Sequence, residues 1–332
     1  MKAAIQHTNG DPTSSDVLSV DDVSIPEPKE GTILVKVACA SLNPIDYKLV
    51  SGEFPGSKEG PFGADLSGTV EKIGIGYDGP LKIGDKCYAD AIGTKGSFAE
   101  YAIVNTEALS SMPKNLTFKE AASLPLAGLT ALQALQTHGN LQPGQRVAIL
   151  GGSGGVGSLA VQMAKALGAG HVYATGSSVD LIKGLGADTV INYREVSIVE
   201  EMKGLDLDLV FDTVGGYDGW QAAQGGLKKG GKFISIVGDG GSIGAIIRAS
   251  IWRNAMYFLG LGASYKIFLT NTKAPEVESD MKKITELVES GSVKPLVDER
   301  DFELTTASLG DIIKASMSHR TKGKLVLTVA KV

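Results

Sequence analysis

Cysteine is nearly absent: Cys39 and Cys87 are the only two in 332 residues. They have no CxxC spacing and could close at most one bridge, which excludes a disulfide framework and points to a reducing compartment. Histidine is scarce too. His7, His138, His171 and His319 are scattered, with no paired spacing of the metal-ligand kind. There is no excess of positive charge; a formal net charge of -5 leaves no broad electrostatic footprint for phosphate backbones, so nucleic acid is not expected as a partner. Long hydrophobic runs are missing as well. The apolar window from Asn254 to Tyr265 is closed by Arg253 and Lys266, short of the ~20 residues a membrane span requires, so no integral membrane segment is expected. The opening "MKAAIQHT" passes straight into strand-like sequence, with neither the apolar core of a signal peptide nor a Ser/Arg-rich leader, and the expectation is a cytoplasmic protein.

What is present describes a soluble α/β protein. Hydrophobic residues make up 43%, charged residues 21%, and there are 43 glycines, a composition of packed cores with many tight turns. The length exceeds the roughly 100 to 200 residues of one domain, so two cores, or one domain inserted in another, are expected. Up to about residue 120 the chain holds short β-branched runs such as "TILVKVACA" and "SGTVEKIG" between Pro/Gly turns. From Thr117 the texture changes: Thr117 and Glu120 form a capping box, and Pro125 divides two Ala/Leu-rich helical pieces. After Gln145 strands and helices alternate as "RVAIL", a helix over 156–167, "HVYAT", a short helix over 178–185, "TVINY", "LDLVFDTV" and "KFISIVG", the βαβ texture of a parallel sheet. The tail, a helix within 274–293 and then a helix and strand within 310–329, is read as returning to the first unit.

Gly152, Gly154 and Gly157 have G-x-G-x-x-G spacing, a weak signal alone in a glycine-rich chain. Context sharpens it. "RVAIL" precedes the glycines, and Val156, Leu159, Ala160, Met163, Ala164 and Leu167 follow at the spacing of one buried helix face. One glycine is expected to make the turn, another to let backbone approach a pyrophosphate, and the third to pack helix on strand, with Ser153, Gly155 and Val156 meeting the diphosphate at the helix N-terminus. The acid that holds an NAD ribose at the end of the next strand is missing; Gly176, Ser177 and Ser178 stand there, and Asp180 comes too late. No carboxylate repels a 2′-phosphate, so NADP is the expected cofactor. Ser177 and Ser178 are candidate donors to it, with one of them also capping the next helix, and Tyr193 or Arg194 is placed to cover the adenosine side.

The segments "SLNPIDYK" (41–48), "GADLSGTV" (63–70), "GSFAEY" (96–101), "LPLAGLTALQAL" (124–135), "GGSGGVG" (151–157), "LGADTVINY" (185–193), "FDTVGG" (211–216) and "KGKLVLTV" (322–329) together resemble the zinc-independent medium-chain dehydrogenases/reductases of the quinone oxidoreductase branch, with similarity to plant-type alkenal/enone reductases and chloroplast-envelope quinone oxidoreductase homologues. The resemblance implies a GroES-like β-rich catalytic domain at 1–122, completed by a C-terminal return at 271–332, and an inserted Rossmann NADP-binding domain at 123–270 with a doubly wound parallel sheet. It places the active site in the cleft between them. Where zinc-dependent relatives carry a cysteine and a histidine, this chain has Asn43 and Ala64, and no third ligand stands near Ala127; no metal is expected.

Further roles follow from the resemblance. Asn43, Asp46 and Tyr47 are catalytic candidates, Asn43 as a neutral donor and Tyr47 as a flat wall or a carbonyl-polarising hydroxyl. "NPID" also reads as a structural turn in which Asn43 and Asp46 bond backbone. Lys48, Thr130, Val237, Gly238, Ala263, Gly323 and Lys324 are cofactor-side candidates. The expected reaction is metal-free hydride transfer from NADPH to a quinone or an α,β-unsaturated carbonyl, with the proton coming from Tyr47 or water. The alternatives are a redox sensor or accessory protein with little turnover and, more distantly, a zinc-dependent alcohol dehydrogenase. The aromatic stretch "IWRNAMYFLGLGASYKIF" (251–268) reads as a substrate mouth or as an edge strand pairing with a second subunit, giving a homodimer. Peripheral attachment to an organelle or chloroplast envelope membrane is the alternative location.

Overall fold

The structure is a computed structural model and describes residues 1–54, 59–94, 96–238, 243–258 and 262–330, with backbone only at 243–246. It forms two compact units. One comprises Met1–Leu129, Asn271–Gly291 and Pro295–Val332; the other comprises Thr130–Thr270 and Ser292–Lys294. The chain passes from the first to the second inside the helix Pro125–Leu132.

The first unit is β-rich. Strand Thr32–Ser41, with eight of its ten residues buried, is the axis of a larger sheet: it pairs antiparallel with Asp65–Ile73, Tyr101–Asn105 and Val326–Thr328. The last pairing sets Leu327 opposite Ala40, so the tail strand belongs to this sheet. Asp65–Ile73 in turn carries Lys86–Asp90, and Asp65 lies opposite Asp90 across that pair. Leaving the axial strand, Asn43 caps the helix Pro44–Ser51, which Pro44 enters with φ already set and Gly52 ends in the left-handed region.

The second unit is a six-stranded parallel sheet. Its spatial order is Thr189–Ile191, His171–Thr175, Arg146–Leu150, Leu207–Asp212, Leu227–Ser235 and Ser264–Ile267. Numbered along the chain this is 3-2-1-4-5-6, the doubly wound order whose direction reverses beside Arg146–Leu150, where such sheets bind dinucleotides. The expected helix appears as Gly155–Ala166. Leu159, Ala160, Met163 and Ala164 are buried as expected, while Val156 and Leu167 are only half-buried. Ser158, Val161 and Gln162 are buried too, because backbone at Lys294 crosses that side: Gln162 Nε2 donates to Lys294 O at 2.9 Å and Lys294 N donates to Gln162 Oε1 at 2.8 Å. The 251–268 stretch, apart from 259–261 outside the described residues, ends the helix Ile243–Phe258 and then forms the edge strand Ser264–Ile267.

Candidate functional site

At the reversal point the strand Arg146–Leu150 runs into the glycine turn. The left-handed residue is Gly151 (φ 88°), not one of the three glycines with the expected spacing. Its N–H is held by Thr175 Oγ1 at 3.0 Å, and Gly152 N donates to Thr175 O at 2.8 Å. The spaced glycines divide the remaining work. A Cβ on Gly152 would lie 3.0 Å from that of Ala174, and one on Gly157 would lie 2.0 Å from Gly151 O, so Gly157 is where helix and strand touch backbone to backbone. Gly154 would meet only Gly151 O, at 3.5 Å, and otherwise faces open space. Gly155, Val156 and Gly157 lead the helix, so their N–H groups have no carbonyl within it. An unobstructed turn with convergent N–H groups and the positive end of a helix dipole fits a diphosphate.

Around this turn the other candidates fall at strand ends. Ser153 Oγ lies near Gly176, where an added Cβ would be 3.7 Å from it. Ser177 and Ser178 follow, both half-buried. Ser178 takes the N-cap position of the helix Val179–Gly184, but its side chain makes no capping bond, contrary to the expectation that one of the serines caps. Tyr193 is exposed just beyond Thr189–Ile191, whose last carbonyl accepts from Gly176 N at 3.1 Å. Thr130 is buried, its hydroxyl 2.6 Å from that of Thr270. Val237 and the buried Gly238 follow the strand Leu227–Ser235, and Ala263 packs in the apolar core with Trp220 and Tyr265.

In the first unit Asn43, Asp46 and Lys324 come together with two carboxyls the sequence reading missed, Asp65 and Asp90. Lys324 is 6% exposed, so it is a buried ammonium and not a solvated loop charge. Its Nζ donates to Leu42 O at 3.0 Å and Asn43 Oδ1 at 2.6 Å, and lies 3.5 Å from Asp65 Oδ2. Asn43 Nδ2 donates to Asp65 Oδ2 at 2.9 Å, and Asp65 also accepts from Ser41 Oγ and Leu126 N. Asn43 therefore bridges a buried cation and a buried carboxyl. Burial pushes the Lys324 ammonium down and the Asp65 carboxyl up, against the pull each exerts on the other.

One ammonium faces three carboxyls. Burial holds Asp46 up at about 7, with Asp65 reinforcing it, and holds Asp90 up at about 8, again with Asp65 adding to the effect. Asp46 Oδ2 accepts from Asn43 N at 2.8 Å, the backbone-bonding turn that "NPID" allowed. Asp46 also borders a small cleft of about 20 Å³ with Phe62, Gly63, Ala64 and Ile92, room for about one water. Asp90 Oδ1 accepts from Ile92 N, while Oδ2 is buried with no partner among the described residues.

Tyr47 is 5% exposed and sits in an apolar cluster with Val50, Phe98 and Ile312; burial raises its phenol, against a hydrogen bond with Ser316. Lys48 is half-buried, with Nζ 5.9 Å from the Phe54 ring centroid. Gly323 (φ 81°) precedes Lys324 where an added Cβ would be 2.2 Å from Leu296 O, so its glycine serves the chain's own turn. The donor set does not fit zinc. Asn43 and Ala64 supply neither thiolate nor imidazole, the Asn43 oxygen already meets an ammonium, and among the described residues no three His, Cys, Asp or Glu side chains are grouped to hold a metal.

Both units match known families. Residues 29–114 match the alcohol dehydrogenase GroES-like domain and residues 185–327 the zinc-binding dehydrogenase domain. The chain is 34% identical over 329 residues to 2-methylene-furan-3-one reductase of Solanum lycopersicum, covering 95% of this chain and 76% of the tomato protein. It is 33% identical to the NADPH-dependent alkenal/one oxidoreductase, chloroplastic, of Arabidopsis thaliana, covering 94% of this chain and 76% of that one. Among solved structures, the quinone oxidoreductase from Coxiella burnetii superposes with a TM-score of 0.83 at 30% identity, covering 99% of each chain.

Proposed function

Because this chain belongs to the medium-chain dehydrogenase/reductase family, in its zinc-independent branch of quinone oxidoreductases and alkenal/enone reductases, we propose that it transfers hydride from NADPH to an electron-poor acceptor, a quinone or an α,β-unsaturated carbonyl. The observation that carries this reading is the open glycine turn at Gly154, followed by a strand end free of carboxylate at Gly176, Ser177 and Ser178. NADPH would supply the reducing equivalent. The chain's own residues bind and orient it: the N–H groups of Gly155, Val156 and Gly157 take the diphosphate, Ser177, Ser178 and Tyr193 the phosphorylated adenosine side, and the ends of Leu207–Asp212 and Leu227–Ser235 the nicotinamide side.

For the acceptor, Asn43 uses one amide hydrogen on Asp65 and offers the other to a carbonyl oxygen, which withdraws electron density without a metal. Asp46, raised to about 7 by burial, is part-protonated at neutral pH and so carries less negative charge beside Asn43 than an ordinary aspartate would. Tyr47 is buried in its apolar cluster and burial raises its phenol, so we assign proton delivery to water. We further propose a homodimer formed through the edge strand Ser264–Ile267, beside which Ile251, Trp252, Phe258 and Leu269 are exposed. Among the described residues no helix is long and apolar enough to cross a membrane; with both cysteines free and buried, we place the protein in the cytoplasm.

The decisive experiment mixes purified protein with NADPH and either a small reactive enal or a quinone and follows the absorbance of the reduced nicotinamide. Inactivity toward both classes, in protein that binds NADPH, would replace the reductase reading with that of a cofactor-binding sensor. Ser177→Asp should weaken NADPH about tenfold or more and leave NADH nearly unchanged; equal effects on the two would remove this account of cofactor choice.

A further inference from the structure

The ends of two adjacent strands in the second unit are fastened together by one carboxyl and one hydroxyl. Asp212 closes Leu207–Asp212 and is 1% exposed. Its Oδ1 accepts from Val214 N at 3.0 Å and Gly215 N at 2.9 Å, and its Oδ2 accepts from Ser235 Oγ at 2.9 Å. Ser235 closes the neighbouring strand, and its Oγ accepts from Gly238 N at 3.0 Å and Val237 N at 3.3 Å. The hydroxyl hydrogen thus points at Asp212, and the lone pairs point at the next loop. With both Asp212 oxygens accepting, that orientation is fixed.

These bonds lie outside the sheet ladder and serve the loops 213–216 and 236–238. The two loops also touch directly: Gly216 N donates to Gly238 O at 3.0 Å, and a Cβ on Gly215 (φ 82°) would be 2.6 Å from the same oxygen. On the other flank Thr213 Oγ1 donates to Leu150 O at 2.6 Å, and a Cβ on Gly151 would lie 2.7 Å from Thr213 Oγ1. The glycine turn and both loops therefore hold one position relative to each other. In a 3-2-1-4-5-6 sheet the adenosine half lies over strands 171–175 and 189–191, which leaves the other nucleotide to the ends of 207–212 and 227–235.

We propose that Asp212 and Ser235 are positioning residues that set the loops 213–216 and 236–238 for the nicotinamide half of the cofactor, without acting on the adenosine half. The inference rests on the NADPH reading above. Asp212→Asn places a donor against a hydroxyl whose lone pairs are already engaged, and Ser235→Ala strips the acceptor from two loop N–H groups.

Calorimetric titration of each variant with NADPH and with 2′,5′-ADP, which carries only the adenosine half, tests the proposal. Either substitution should raise the NADPH Kd about tenfold and leave the 2′,5′-ADP Kd within about twofold, and the double variant should be little worse than the singles, because the pair acts as one unit. Equal weakening of both ligands, or of neither, overturns the proposal. So does failure of both variants to fold, since the pair would then hold the sheet and not its loops. A parent protein that binds neither ligand overturns the NADPH reading, a separate result.

Discussion

A carboxyl that is 3% exposed, with one oxygen on Ile92 N and the other without a partner among the described residues, keeps its proton when folded. Asp90 holds it up to about 8, whereas an unperturbed aspartate releases it near 3.8. Between those values the native state binds one more proton than the unfolded chain, so this group lowers stability progressively as pH rises through the window, and the penalty is constant above it. Asp90→Asn removes the titration. The variant's Tm advantage over the parent should grow from about pH 5 to about pH 8, and an advantage of the same size at both ends would contradict the assignment. Tyr47 gives a second expectation at this scale. With Tyr47 buried among apolar side chains and water as the proton source, Tyr47→Phe should keep kcat within about threefold; a loss of about a hundredfold in kcat would make Tyr47 the donor. Asn43, Asp46 and Lys324 could be named from sequence, but their partners could not. Asp65 and Asp90 are 25 residues apart in the chain and meet only across a strand pair. The available signal was a carboxylate inside an otherwise apolar strand run, as in "GADLSGTV" and "CYADAI", where burial demands a partner or a proton.

The helix Gly155–Ala166 and the turn before it show how far local spacing reaches. The apolar period fixed the helix to within one residue at each end, because a 3.6-residue repeat next to a β-branched run has one economical reading. Which glycine takes the left-handed turn was not legible: the G-x-G-x-x-G spacing starts at Gly152, while hydrogen bonds donated to Thr175, a residue on another strand, put the turn at Gly151. Gly157 is the stricter test of the element. With a Cβ 2.0 Å from backbone oxygen, Gly157→Ala must push the helix off its strand. It should abolish measurable NADPH binding and cost about 1–3 kcal/mol in urea denaturation; normal NADPH affinity in this variant would mean that the diphosphate binds elsewhere.

For the whole molecule, strand order was beyond the reach of local pattern. Periodicity marked the strands and the resemblance implied a doubly wound sheet, but the 3-2-1-4-5-6 order came only with the structure, since nothing in "RVAIL" says which neighbour lies on either side. Assembly is argued at the same scale. The edge strand Ser264–Ile267 and the exposed Ile251, Trp252 and Phe258 should bring two 34.5 kDa chains together in sedimentation, and Trp252→Glu with Phe258→Ser should yield a monomer; a parent that already sediments as a monomer removes the dimer. The pairing of Val326–Thr328 with Cys39–Ser41 bears on how this protein is made. A ribosome delivers the axial strand well before its tail partner, so that edge of the β-rich unit stays bare while the strands of the nucleotide-binding sheet, all delivered by Ile267, are already out. Chain order thus lets the inserted sheet pair its strands before the unit that flanks it in sequence has all of its own.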